Sequence, residues 1–170
     1  MPDDPQSSSV RINEDLYAEL RGESERATAI FGAAILDELL RQVLVTFMIP
    51  ADQEVTKLTR DTLGTFAARI RPAYCFGLID EEEHHDLELI RKIRNPFAHQ
   101  IRAPSFSQGQ VRDLSLSLEI GKGFLNQEQR GEPRDCFQAP VAALAYSLTI
   151  RSLQVARKRP RAHSSRGFPR

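Results

Sequence analysis

The sequence predicts an all-α protein, a single-domain helical bundle of about five or six helices. Apolar residues recur at spacings of three and four over several long segments, and no alternation of apolar and polar residues lasts long enough to predict a strand. Hydrophobic residues make up 41% of the 170-residue chain and charged residues 27%, which suits one domain with one core. We expect a disordered N-terminus at residues 1–12, a helical domain at 13–156 and a disordered basic tail at 157–170.

Two apolar patterns predict the first helices. Asn13 offers an N-cap for a short helix that carries Leu16, Tyr17 and Leu20 on one side and that Gly22 ends or bends. Residues 24–48 show the strongest helical pattern, closed by Pro50. The expected core face of this helix consists of Ala27, Ile30, Phe31, Ala34, Ile35, Leu39, Val43, Leu44 and Phe47. The small residues at 32–34 permit close approach by another helix, either inside the bundle or across a dimer.

A polar link at residues 51–62 is expected to precede the next helix, over residues 64–76. Pro72 should bend this helix, and Gly77 should adopt the left-handed turn that ends it. Leu78 and Ile79 then pack across the turn. The expected core face consists of Phe66, Ile70, Ala73 and Tyr74.

Asp80 followed three residues later by Glu83 is a capping-box pattern, so a further helix is expected to start there. Its apolar stripe consists of Leu87, Ile90, Ile93 and Phe97. A loop at 100–107 should lead to a weaker helix over 108–120, with Val111, Leu114, Leu118 and Ile120 inward. After a stop at 121–123 and a surface connection at 126–135, a final helix over 137–156 is expected to hold Pro140 in its first turn.

Arg94 lies at the edge of the apolar stripe and needs a partner. A guanidinium cannot lose its charge and is costly to bury alone, so the position requires a carboxylate, a set of carbonyls or a phosphate. His99, five residues later, is the residue type that exchanges a proton near neutral pH. Side chains five apart on a straight helix diverge by roughly 140°. Pro96 lies between them, and we expect it to kink or end the helix so that Arg94 and His99 approach each other.

The segment 94–99 (RNPFAH) resembles the R-x4-H motif of HEPN domains, all-helical modules many of which are metal-independent ribonucleases. Over about residues 24–155 the chain also resembles the mannitol operon repressor family, helical bacterial proteins associated with transcriptional regulation. That resemblance is carried by residues 32–40 (GAAILDELL), 64–66 (GTF), 73–79 (AYCFGLI), 90–95 (IRKIRN) and 97–99 (FAH). It implies a dimeric regulator that binds other proteins and is not an enzyme.

The HEPN resemblance implies an alternative function, metal-independent endoribonuclease activity. In that mechanism His99 assists deprotonation of a ribose 2′-hydroxyl, Arg94 stabilises the charge on the phosphate, and Asn95 orients either group. Two plainer interpretations stand beside it. Arg94 and His99 line a binding site without catalysis, or the motif is structural, with Arg94 paired to Asp37 or Glu38 and His99 capping a carbonyl.

The zero net charge conceals an acidic body and a basic tail. Residues 157–170 hold six basic and no acidic residues, which leaves 17 basic against 23 acidic residues in 1–156. An acidic body attracts nucleic acid poorly, and no helix has the density of Arg, Lys, Asn and Gln expected of a major-groove reader. Nucleic-acid contact is therefore expected to be weak or indirect, and a protein partner in transcriptional regulation is favoured.

Other classes of protein are disfavoured. Cys75 and Cys136 are expected to be buried free thiols, because two distant cysteines form neither a disulfide framework nor a C-x-x-C metal site. Adjacent His84 and His85 point about 100° apart on a helix, so we expect no metal site, and no cofactor motif is present. The chain has no secretion signal and no apolar segment near the roughly 20 residues of a membrane span, so a cytoplasmic location is expected.

Overall fold

The computed structural model describes residues 15–102 and 104–162, which form seven α-helices and contain no strand. The helices are α1 (15–22), α2 (Glu25–Phe47), α3 (Asp52–Asp61), α4 (Phe66–Cys75), α5 (Glu81–His99), α6 (Gly109–Leu116) and α7 (Pro133–Ala156). Two short 3-10 turns, Lys122–Phe124 and Gln129–Gly131, connect α6 to α7. The predicted N-terminal segment 1–12 and the tail beyond residue 162 lie outside the described residues.

The centre of the bundle is the contact between its two longest helices, α2 and α7, with α5 packed beside them. At Gly32 an added Cβ would lie 3.1 Å from Val141 Cγ1, so glycine lets the α2 and α7 backbones approach closely. The small residue at this position therefore serves packing within one chain. The predicted α5 stripe of Leu87, Ile90, Ile93 and Phe97 is confirmed, since each of these side chains is 0% exposed.

The predicted helix ends around α4 and α5 are confirmed. Gly77 has φ 65°, and the N–H of Leu78 donates to Ala73 O at 2.9 Å, which closes the left-handed turn after α4. Leu78 and Ile79 are buried across this turn. The carboxylate of Asp80 accepts the N–H of Glu83 at 2.8 Å, while Glu83 accepts the N–H of Asp80 at 3.0 Å. This reciprocal pair is the expected capping box at the start of α5.

The predicted core face of α2 is confirmed at Val43 and Leu44, which are buried, and is wrong at Phe31 and Ala34. Phe31 is 55% exposed and Ala34 is also exposed, whereas Leu36 and Leu40 are fully buried. The buried side chains of α2 are Thr28, Ala29, Gly32, Ala33, Leu36, Leu40, Val43 and Leu44. Because α2 is rich in apolar residues on several sides, its periodicity did not select one face, and the row nearest Gly32 meets α7.

Other expectations were wrong in detail. The segment expected as a polar link forms α3, which buries no residue and carries a Lys57 to Glu54 ion pair at 2.9 Å. Tyr74 is 41% exposed and its ring stacks on His84, while Cys75 is exposed and Cys136 alone of the two thiols is buried.

The second half of the bundle also departs from the predicted bounds. Helix α7 begins at Pro133 and not at Phe137, so Pro140 lies beyond the first turn, where it removes the N–H that would bond the Cys136 carbonyl. Helix α6 is shorter than expected and ends at Leu116. Phe106, in the predicted loop, is fully buried, with its ring centroid 5.0 Å from that of Phe97.

Candidate functional site

Helix α5 carries the motif residues Arg94, Asn95 and His99, and it does not end at Pro96. The N–H of Gln100 donates to Pro96 O at 3.0 Å, and helix geometry continues to His99. Ile93 lies three residues before the proline, and Phe97 lies one residue after it. Both side chains are fully buried and hold the last turn of α5 against the core. The expected end of the helix at Pro96 is therefore wrong, and His99 belongs to the same helix as Arg94, in which ideal geometry turns residues five apart by roughly 140°.

A cavity of about 370 Å³ lies between α2, the start of α4 and α5. Several of its lining residues are exposed, so it opens to solvent. It is lined by Ile30, Ala33, Ala34, Asp37, Gly64, Thr65, Phe66, Ala67, Arg91, Arg94 and Asn95. The structure thus brings Arg94 and Asn95 together in one pocket. His99 is exposed at the end of α5 and does not line this cavity.

The two acids expected to hold Arg94 bind other arginines. Asp37 forms a hydrogen-bonded ion pair with Arg69, and Glu38 binds Arg41 at 2.7 Å. Arg94 has no hydrogen bond or ion pair within the described part of the chain, although it is only partly exposed. The structural interpretation of Arg94 as one half of a buried pair with either acid is therefore wrong.

The neighbouring charges of the pocket are internally neutralised. Arg91, one turn before Arg94 on the same face of α5, is bound to Glu88 at 2.8 Å. The Asp37 carboxylate is paired with Arg69, whose side chain is 10% exposed. Each of these two ion pairs has no net charge. The charge of Arg94 is therefore not balanced by the other charged residues that line the pocket.

The amino-terminal end of α4 lies at the edge of this pocket. Thr65 is the N-cap, and its side chain accepts the N–H of Ala68 at 3.2 Å. The first N–H groups of a helix have no intrahelical acceptor, and the helix dipole makes this end positive. The positive potential at the first turn of α4 therefore adds to the positive charge of Arg94.

Sequence reasoning missed most of the pocket. Of its polar lining residues it singled out Arg94 and Asn95 as site residues, and assigned no site role to Thr65 or Arg91. The spacing of Arg91 and Arg94 was a usable signal, because residues three apart share a helix face. The sequence held no such signal for Thr65, because its place in the pocket depends on how α4 packs against α2 and α5.

The other histidines and acids that the structure describes form no metal centre. No group of three or more His, Cys, Asp or Glu side chains in residues 15–102 and 104–162 is placed to hold a metal ion. The His84 ring lies 4.6 Å from that of Tyr74, and His85 Nδ1 lies 3.0 Å from Asp86 Oδ1. Over the same residues no helix combines the length and apolar character needed to cross a membrane.

Comparison with known proteins identifies the fold. No protein-family model matches the chain, and no curated protein matches its sequence. Among solved structures, a chain of the X-ray structure of the MtlR-HPr complex from Escherichia coli matches with a TM-score of 0.56 and 17% identity. The match covers 86% of this chain and 99% of that chain. At this identity the similarity shows a shared helical fold.

Proposed function

We propose that this protein is a bacterial transcriptional regulator of the mannitol operon repressor type, which acts as a homodimer by binding another protein. The observation that carries the proposal is the fold, which is shared along nearly the whole length of a chain from a complex of two proteins, MtlR and HPr. The proposal places the protein in the cytoplasm and gives it no catalytic role. Its acidic body supports action through a protein partner over direct reading of DNA.

An exposed face of α2 offers a surface for such a partner. Phe31 is 55% exposed, and Ala34, three residues later, is exposed on the same side of the helix. Glu38 and Arg41 continue this face and form an ion pair at 2.7 Å. An exposed aromatic side chain beside charged residues is a common arrangement at protein interfaces, where the aromatic fills a pocket of the partner. We call these four residues the α2 face.

A titration of the full chain with purified HPr from the same organism tests the partner. Isothermal titration calorimetry should detect binding by the wild type, and Phe31→Asp should weaken it at least tenfold because it places a charge in the interface. Leu153→Asp is the matched control, since Leu153 on α7 is 66% exposed and lies outside the α2 face. The control should bind like the wild type. Absence of binding by the wild type would refute HPr as the partner.

The dimer is tested separately by light scattering at micromolar concentration. We expect twice the mass of the 19.2 kDa chain. A monomeric mass across the concentration range would remove the dimer from the proposal while leaving the partner titration intact.

The alternative function, an endoribonuclease that uses Arg94, Asn95 and His99, is favoured by one observation. Among the described residues Arg94 has no hydrogen-bond or ion-pair partner, and it lies beside Asn95 in an open pocket, as a phosphate-binding pair would. His99 does not line that pocket, so a site containing all three residues would need a second copy of the chain. Cleavage of RNA by the wild type in EDTA, lost in His99→Ala, would establish the nuclease. We expect no cleavage.

A further inference from the structure

The pocket between α2, α4 and α5 contains a charge that no group in the described part of the chain neutralises. Arg94 is partly buried and has no ion pair or hydrogen bond among residues 15–102 and 104–162. A guanidinium cannot lose its proton near neutral pH, so Arg94 stays cationic whether or not a partner is bound. A bound anion would supply the missing partner.

The groups beside Arg94 suit the same ligand. Asn95 also lines the pocket and has an amide with two N–H donors. Phe66 and Ala67 also line the pocket and belong to the first turn of α4, where the helix dipole is positive. The Asp37 carboxylate would repel an anion, but its ion pair with Arg69 offsets that repulsion. These contributions strengthen an anion site whose centre is Arg94.

Part of the lining is apolar. Ile30 and Ala34 of α2 and Phe66 of α4 face the same cavity, whose volume of about 370 Å³ is at the lower end of the range for small-molecule sites. An inorganic anion would leave this apolar surface in contact with water. An organic anion would cover it and gain hydrophobic free energy in addition to the charge pairing.

We propose that this pocket binds a small organic anion, a phosphate monoester or a carboxylate, with its charged group on Arg94 and Asn95 and its apolar part on Ile30, Ala34 and Phe66. Arg94 presents the planar fork of donors that matches either anion in a bidentate contact. The inference does not depend on a protein partner, so a failed HPr titration would leave it standing.

The test is an NMR titration of the full-length, 15N-labelled protein with phenyl phosphate, and with benzoate in a parallel arm. We expect saturable shifts of the Asn95 side-chain amide and of the backbone amides of Phe66 and Ala67. The arm that saturates at lower concentration identifies the preferred anionic group. Inorganic phosphate should bind at least tenfold more weakly, because it makes no apolar contact.

Variants at Arg94 separate this site from general electrostatic attraction. Arg94→Gln should weaken phenyl phosphate binding by about 10- to 100-fold, the equivalent of one charge-assisted contact, and Arg94→Lys should be intermediate. The control is Arg112→Gln, which removes the same charge from α6, where Arg112 is bound to Asp113 at 3.2 Å. The control should bind like the wild type. The proposal fails if neither organic anion saturates, if Arg94→Gln binds normally, or if inorganic phosphate binds as tightly as phenyl phosphate.

Discussion

At the scale of single residues, three partly buried arginines of this bundle are held by backbone carbonyls distant in sequence. Arg26 caps the end of α5 by donating to Gln100 O at 2.6 Å, and Arg151 donates to Leu78 O at 2.6 Å. Arg134 donates to Leu20 O at 3.2 Å, at the end of α1. The carbonyls of Leu20 and Gln100 lie at helix ends, where they have no N–H partner within the helix, and that of Leu78 lies in the turn between α4 and α5. Arg94 has no such contact in the described structure. A substitution there can therefore change ligand binding without changing the stability of the fold.

Removing Arg94 should therefore cost little stability. We expect Arg94→Ala to change the free energy of unfolding by no more than about 1 kcal/mol, because no protein group loses a partner. Arg69→Ala, the matched control, strands the Asp37 carboxylate and should cost about 3 kcal/mol. Urea denaturation of both variants measures the difference. A loss of 3 kcal/mol or more in Arg94→Ala would mean that this side chain supports the fold.

Glu38 on the α2 face should titrate at unusually low pH. Hydrogen bonds from Arg41 first, and then from Gln42, lower its pKa from 4.5 to about 2. A carboxyl whose pKa is lower in the folded state stabilises the fold above about pH 4.5, and this contribution disappears as the pH falls toward 2. Because the Glu38 side chain is 50% exposed, the gain should not exceed about 1 kcal/mol.

NMR titration of the Glu38 side-chain carboxyl carbon tests this prediction. In Arg41→Ala the pKa of Glu38 should rise toward its ordinary value. An unchanged pKa in that variant would show that the Arg41 contact is not formed in solution.

At the scale of elements, the helix ends were more predictable than the helix faces. The capping box at Asp80 and the left-handed turn at Gly77 depend on a few neighbouring residues, so local sequence determines them. The orientation of α2 depends on where α7 lies, more than 80 residues later in the chain. Local pattern alone did not choose between its competing apolar rows.

A buried acid on α5 shows the same limit. Asp86 is 0% exposed and accepts the backbone N–H of Ile120 at 2.8 Å and of Glu119 at 3.0 Å. It thereby fixes the segment that follows α6 against α5. The sequence placed Asp86 correctly in the helix, but nothing near it in the chain identifies partners 33 and 34 residues away.

The turn that follows, at Gly121, should be intolerant of any side chain. Gly121 has φ 80°, and an added Cβ would lie 2.9 Å from both the carbonyl carbon and the carbonyl oxygen of Ala139. We expect Gly121→Ala to cost about 3 kcal/mol, since the clash with α7 adds to the left-handed backbone cost of about 1–2 kcal/mol.

Gly77→Ala is the control that separates these two costs. Gly77 has φ 65°, but an added Cβ there meets nothing within 4 Å. The free energy of unfolding of Gly77→Ala should fall only by the backbone cost of about 1 kcal/mol. Thermal or urea denaturation compares the two variants, and equal losses would show that contact with α7 contributes nothing at Gly121.

At the scale of the whole molecule, the fold class was predictable because it needs only the period of the apolar residues. The pocket was not. Its lining comes from α2, the start of α4 and α5, and those elements meet only through tertiary packing. Arg94 and Asn95 were found because they belong to a recognisable motif, whereas His99, in the same motif, is excluded from the cavity by the unbroken helix.

The division of charge between body and tail gives the last prediction. Truncation after Ala156 removes six basic residues and leaves a body with 17 basic and 23 acidic residues. The described part of the tail makes an exposed contact, from Arg159 Nε to Thr46 O at 3.0 Å. Since the truncation removes this exposed contact and leaves the core intact, we expect the free energy of unfolding to change by no more than about 1 kcal/mol.

The same truncation should weaken nonspecific binding to nucleic acid and flatten its salt dependence, because fewer counterions are released when fewer cations contact phosphates. The measurement is binding to a random-sequence duplex at several salt concentrations. A full-length variant with the six basic tail residues replaced by Gln is the matched control, and it should behave like the truncation if charge, not chain length, is responsible. If the truncated and full-length proteins bind with the same affinity and the same salt slope, the tail is not what contacts nucleic acid, and its charge serves solubility instead.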